Sequence, residues 1–439
     1  MQVLLTCAYG FLFYYIIRRS KFFLVSGFKP LVPGVIFLLK CMSGILLGLL
    51  YTYYYTNHQD ADSFKFFTDS RYIYESLFTK PYDFIRMFTG INENAPELRA
   101  YYLKTDSWLN TNPIFNDNKT IIRMNVLFRF FSLGYYYVHV IFINFISFAG
   151  LFFLYKSFLM YVREKEKEMF LLTFLLPSVM FWGSGLLKDG ILLGGFGLFI
   201  YAFTLIINKS FSLKRLLALF TGLAILFMTK VYVIAIIAPG IAAWWLTRKS
   251  SGRKIAITFV TFYVIYLTAA FNLYRVSPDY NLAAELFYKQ KNFIEIAEKH
   301  SASQIPFPRI ECSGTSVLLN SPWAFSNTMF RPFISDAHGK PMIMLSALEN
   351  LFILFLILLF LISADFRKKK LNGYIIFNLI FIILLYILIG LSSPVLGAIV
   401  RYKIVSLPSL MFILIYYYNP KKLKDNLALF VRSNKRRLA

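Results

Sequence analysis

Pro177-Ser-Val-Met-Phe-Trp-Gly-Ser-Gly-Leu-Leu-Lys-Asp-Gly190 decides how this chain is read, because it sets a Lys188–Asp189 pair between two apolar segments with almost no loop to hold it. Ionisable groups at membrane depth are costly, so they usually face an internal cavity and have a function there. Gly183, Ser184, Gly185 and Gly190 around the pair allow close helix approach or a broken helix. The competing reading is an ion pair that merely closes a helical hairpin. The stretch belongs to a helical membrane protein on either reading.

The rest of the chain agrees. Of its 439 residues, 58% are hydrophobic and 19% aromatic, and the apolar residues run in stretches of roughly 17–25, as spans require. The formal charge of +25 could suggest a nucleic-acid partner. The basic residues, however, sit in short clusters between apolar runs, which is the positive-inside pattern of membrane proteins and excludes that class. Cys7, Cys41 and Cys312 show no CxxC spacing and indicate neither a disulfide framework nor a zinc site. The N-terminal segment has no basic n-region and no small-residue cleavage site, so it is read as a first span.

The expected fold is all-α, a polytopic transmembrane helical bundle treated as one membrane domain over 1–439. About eleven apolar segments lie near 2–17, 34–55, 136–161, 169–187, 190–207, 216–229, 231–247, 255–272, 345–364, 373–390 and 404–418. Basic clusters at 18–21, 163–167, 209–215, 248–254 and 367–370 and the tail 419–439 all fall on the cytoplasmic side if the N-terminus is out and the C-terminus in. Lys230 interrupts 216–247, which is read as a tight outer hairpin of two crossings. Lys40 is read as snorkelling from the inner end of the second span.

Two long loops, 56–135 and 273–344, then share the outer face. The first carries Phe64-Lys-Phe-Phe-Thr-Asp-Ser-Arg-Tyr-Ile-Tyr-Glu-Ser-Leu-Phe78, whose helical spacing predicts amphipathic helices in the interface. His139 and His338 are lone histidines with no ligand spacing, and the Asn118-Lys-Thr120 sequon is read as incidental.

On this topology the polar groups converge on one face. Asp60 and Asp62 follow the second span; Lys188 and Asp189 lie at one outer hairpin and Lys230 at the next. Arg331 precedes the ninth segment, Glu349 opens it, and Arg401 and Lys403 precede the last. Cations at one membrane face suit an anionic substrate whose tail stays in lipid: arginine offers phosphate a bidentate fork, lysine a point charge. A carboxylate such as Asp60 or Asp62 can take a proton from an attacking hydroxyl, or the two can hold a divalent cation on the phosphates. The bland alternatives are a hydrophilic loop start for Asp60-Ala-Asp62, an ion pair for Glu349 and a snorkelling Lys403.

Four stretches carry a resemblance: Asp60-Ala-Asp-Ser63, Phe181-Trp-Gly-Ser-Gly-Leu-Leu-Lys-Asp189, Arg331-Pro-Phe333 leading to Ala347-Leu-Glu-Asn350, and Arg401-Tyr-Lys-Ile-Val-Ser-Leu-Pro408. With them the chain resembles the multi-spanning proteins of bacterial surface-polysaccharide clusters, in the style of O-antigen polymerases and GT-C-superfamily glycosyltransferases. It departs from the simplest GT-C pattern in having a span before the one that leads to the acidic loop. The resemblance implies a base or metal-binding acid in the first large outer loop, here Asp60 or Asp62, and outer-face arginines for pyrophosphate, here Arg401 and Arg331.

The leading expectation is therefore a multi-pass protein of the bacterial inner membrane that transfers or polymerises a polyprenyl-phosphate-linked sugar on the outer face. Lys188, Lys230, Arg331, Arg401 and Lys403 would bind phosphate, Asp189 and Glu349 would orient them, and Asp60 or Asp62 would be base or metal ligand. The partners are the lipid-linked glycan and membrane lipid; the sequence names no protein partner. The alternatives are a flippase or transporter for an anionic lipid-linked glycan and a non-catalytic scaffold in an envelope complex.

Overall fold

A computed structural model of the chain describes residues 1–53, 61–108, 116–299, 303–366 and 371–426. Asp60, the basic cluster at 367–370, and 427–439 of the basic tail lie outside the described residues. The helices in the first half are α1 (Gln2–Arg19), α2 (Leu31–Tyr53), α3 (Asp62–Thr79), α4 (Pro81–Thr89), α5 (Arg99–Tyr102), α6 (Asp117–Ser132), α7 (Tyr136–Val162), α8 (Glu166–Phe174) and α9 (Pro177–Trp182). There follow α10 (Lys188–Asn208), α11 (Leu213–Thr229), α12 (Val231–Leu246), α13 (Arg253–Asn272), α14 (Leu282–Lys299) and α15 (Gly314–Phe330). The last are α16 (Pro341–Ser363), α17 (Gly373–Ser392), α18 (Leu396–Tyr402) and α19 (Leu407–Tyr417). The protein is all-α: among the described residues there is no strand, only two isolated bridges.

Six helical stretches are long and apolar enough to cross a membrane: Leu31–Tyr53, Tyr136–Phe174, Lys188–Asn208, Arg253–Arg275, Pro341–Ser363 and Gly373–Ser392. A seventh is added if Leu396–Val405 and Leu407–Tyr417, bent by 60°, make one broken span. Of the other apolar segments read from sequence, 2–17 forms the 18-residue α1, which is not among these six, and the rest form smaller elements. α11 and α12 have 17 and 16 residues, and 169–187 is divided where Pro177, which cannot extend a helix begun before it, opens α9. α16 shows why lipid is the solvent: Leu358 and Leu361 are 58% and 68% exposed, on a helix with a run of other open apolar side chains. Such a surface is satisfied by hydrocarbon rather than water.

The chain divides into two compact units, the first formed by 1–157 with 179–231 and the second by 158–178 with 232–439. In the first unit the segment after α2 folds into a helical layer rather than an open loop. α3 packs on α4 and α6. Phe66, Ile73, Met87, Leu98, Tyr102, Trp108, Ile122 and Val126 form one core with Tyr136, Val140, Ile143, Leu186 and Ile191. Beneath it α7 and α10 cross with almost no side chain between them: a Cβ on Gly197 would lie 1.9 Å from the Gly150 carbonyl oxygen, so only glycine permits that approach.

Lys40 corrects the sequence reading. It does not snorkel; it is fully buried, and its Nζ donates to Ser184 Oγ at 3.1 Å and to the Val179 carbonyl at 3.4 Å. Asn144 Nδ2 donates to the Ser184 carbonyl at 2.9 Å. Asn144 thus satisfies a carbonyl just past the end of α9, while Ser184 and Val179 give the buried ammonium of Lys40 its acceptors.

In the second unit α17 is the centre, packed against α14, α15 and α19. The 273–344 segment is also helical, and Ala283, Leu286, Ile310, Val317, Ala324 and Leu391 form its core. Gln290 ties it down: its Nε2 donates to the Leu391 carbonyl at 3.1 Å and its Oε1 accepts from Ile310 N–H at 3.0 Å.

Candidate functional site

In the first unit, Asn116 Oδ1 accepts the Asn118 N–H at 3.0 Å and so starts α6. That cap places Asp117 in the first turn, where a carboxylate is favoured by the helix dipole. Thr120 Oγ1, on the same helix, donates to the Met228 carbonyl at 2.6 Å and buckles the start of α6 to the end of α11. Lys230 follows directly, at the C-terminal end of α11, where a cation is favoured.

Lys188 enters from the first turn of α10, a position the dipole disfavours for a cation. Its Nζ donates to Asp117 Oδ1 at 2.6 Å and also to Asn118 Oδ1. Lys230 Nζ lies 3.2 Å from Asp117 Oδ2. One carboxylate thus joins two ammonium groups, one on each oxygen. Phe66, a turn along α3 from Asp62, sets its ring 5.3 Å beneath the Lys188 ammonium, and Asp62 itself interacts electrostatically with Lys188. The three charged side chains of the fork keep 11%, 17% and 23% of their surface for Lys188, Lys230 and Asp117, so the group is sheltered but not sealed. Burial pushes the Asp117 carboxyl up, but Lys230 and Lys188 outweigh it and hold the group below the usual carboxylate value.

A second buried acid braces the layer that carries Asp117. Asp69 accepts the N–H groups of Asp106 and Ser107 at 2.9 and 2.8 Å, and the Ser107 carbonyl in turn accepts from Asn118 Nδ2 at 3.1 Å. Burial raises the Asp69 carboxyl to about 6, against the pull of those two N–H bonds. With the folded value above the unfolded one, its contribution to stability is fully present below about 3.8 and is lost as pH rises through about 6. Detergent-solubilised wild type is therefore expected to gain stability relative to Asp69→Asn as pH falls from 7.5 to 5, towards a limit on the order of 3 kcal/mol. A difference in melting temperature that stays flat over that range would contradict this.

In the second unit, Glu349 of α16 receives Ser178, its Oε2 accepting the backbone N–H at 2.9 Å and its Oε1 the hydroxyl at 2.8 Å. Lys403 Nζ donates to Asn350 Oδ1 at 3.0 Å and to the Arg331 carbonyl at 3.2 Å, and interacts electrostatically with Glu349. Asn350 Nδ2 holds the Phe330 carbonyl at 2.6 Å. The Arg331 guanidinium pairs with Asp336 and bonds Asn327 Oδ1 at 3.0 Å.

Of the residues read from sequence, Lys188 and Lys230 meet at Asp117 with Asp62 beside them, and Arg331, Glu349 and Lys403 gather in the second unit. Asp189 is buried in the first turn of α10, Arg401 is half-buried on α18, and Asp60 lies outside the described residues. Asp117, Asn118, Asn350 and Asp336 were not read as site residues, and Lys40 was read as snorkelling. The Asn116-Asp117-Asn118 run ahead of an amphipathic stretch is a helix-start signal that could have marked the first two. Among the described residues no group of three or more His, Cys, Asp or Glu side chains is gathered to hold a metal. Comparison with known families, curated proteins and solved structures finds no match to this chain.

Proposed function

We propose that this protein is a membrane transferase, a glycosyltransferase or glycan polymerase, that takes a polyprenyl-phosphate-linked sugar at the outer face of a bacterial inner membrane. The observation that carries this reading is the pair of ammonium groups, Lys188 and Lys230, held apart on the two oxygens of one carboxylate beside Asp62. Two ammonium groups a carboxylate apart suit phosphate oxygens, and a nearby acid suits proton removal from a sugar hydroxyl. Asp62, with Asp60, serves as base or holds a divalent cation, while Asp189 steadies the α10 terminus. In the second unit Arg331, Arg401 and Lys403 serve an anionic group, with Glu349 orienting Lys403. The reading counts the shorter apolar helices as crossings too, for about eleven, with the N-terminus out and the C-terminus in.

The test is made in cells. Replacing Asp60, Asp62 or Arg401 by a neutral residue is expected to abolish glycan extension while the protein stays folded in membranes. Normal glycan chain length in all three variants would overturn the assignment.

A further inference from the structure

Asp117 has no place in the chemistry just described. It is assigned neither as base nor as metal ligand; it fills the fork between the two lysines. Each of its oxygens takes one ammonium group, at 2.6 and 3.2 Å, as two phosphate oxygens would. Lys188 has a second acceptor in Asn118 Oδ1, so it keeps a partner when the carboxylate leaves. Asp117 is also part exposed and stands in the first turn of its helix, where a side-chain rotation can carry it out of the fork.

We propose that Asp117 is a displaceable internal counter-ion that fills the Lys188–Lys230 fork until a more strongly bound anion, such as a lipid diphosphate, takes its place, and so keeps weakly bound singly charged phosphodiesters out. The inference rests on the reading of this fork as a phosphate site. A phosphodiester monoanion that displaces Asp117 exchanges one negative charge for another and gains little. A diphosphate brings additional charge and additional oxygens for the same two ammonium groups, so its exchange is favourable. In a membrane the discrimination has a purpose: ordinary phospholipid headgroups are phosphodiesters at far higher concentration than any carrier lipid. The cost of displacing Asp117 falls on both ligands alike, so it leaves their ratio unchanged but lowers the weaker phosphodiester below effective binding while the tighter diphosphate still binds.

The experiment measures binding of farnesyl diphosphate, inorganic pyrophosphate and short-chain phosphatidylglycerol to the detergent-purified full chain. Wild type is expected to prefer farnesyl diphosphate. Asp117→Asn is expected to bind both lipids more tightly, each by about tenfold, so that phosphatidylglycerol binding also rises. In wild type, carbodiimide should condense Asp117 with Lys188 or Lys230 into an amide seen by peptide mass spectrometry, and saturating farnesyl diphosphate should suppress it. This second arm does not depend on the folding of any variant. Unchanged affinities for both lipids in Asp117→Asn, or an undiminished cross-link at saturation, overturn the counter-ion. Undiminished diphosphate binding by Lys188→Met/Lys230→Met overturns the phosphate reading beneath it. Suppression by pyrophosphate as strong as by farnesyl diphosphate supports the counter-ion and makes the ligand a soluble phosphate; suppression by the farnesyl probe alone makes it lipid-borne.

Discussion

Lys188→Met/Lys230→Met is expected to lose the lipid-linked substrate, with turnover lower by about 10²–10⁴-fold. A hydrogen bond to a charged group contributes about 1.5–3 kcal/mol. Two such bonds to phosphate together account for that range, because about 1.4 kcal/mol corresponds to a factor of ten. The single variants should lose less, since either lysine alone still faces the phosphate. The double variant also strands Asp117, whose carboxylate lies between the two ammonium groups, and an unpaired buried charge destabilises the fold on its own account. The triple variant with Asp117→Asn separates the two effects. It should recover the melting temperature and not the turnover. Turnover within a few-fold of wild type in the triple variant would show that the lysines serve structure only.

Lys403→Met is expected to destabilise the protein by about 3–5 kcal/mol, the range for breaking a buried charge interaction by removing one partner. Lys403 and Glu349 are both buried, and each is the other's charge partner. Lys403 also anchors the Arg331 carbonyl and Asn350, so its loss frees two acceptors as well as a carboxylate. Glu349→Gln in the same chain should return much of the loss, since the amide no longer needs a cation and its oxygen can still accept from Ser178. A double-mutant cycle on thermal unfolding in detergent gives the coupling directly. Additive effects of the two substitutions would mean that the charges do not sense one another.

The apolar runs of α2, α7, α10, α13, α16 and α17 were legible in the sequence because their length and composition are local properties. Lys188 and Lys230 were legible for the same reason, as cations interrupting such runs. What joins them was not. Asp117 reaches both only because α6 folds back onto α11 through Thr120 and Met228, a contact 108 residues apart in the chain. Lys40 shows the limit of a rule based on position along a span: its distance from the helix end suggested snorkelling, but its direction is set by Ser184 and Val179 on another element. The segment 56–135 carried its helical periodicity openly at Phe66 and Ile73. Its packing into a core with α7 and α10 depended on tertiary contacts that periodicity alone does not specify.

The most direct measurement is the lipid that travels with the protein. The chain is purified from its own membranes, and the bound lipid is released and identified by mass spectrometry, wild type beside Lys188→Met/Lys230→Met/Asp117→Asn. A polyprenyl phosphate or diphosphate, with or without its sugar, is expected in the wild type and is expected to be lost from the variant. The same lipids in the same amounts in both, or phospholipid alone in the wild type, would contradict the phosphate reading.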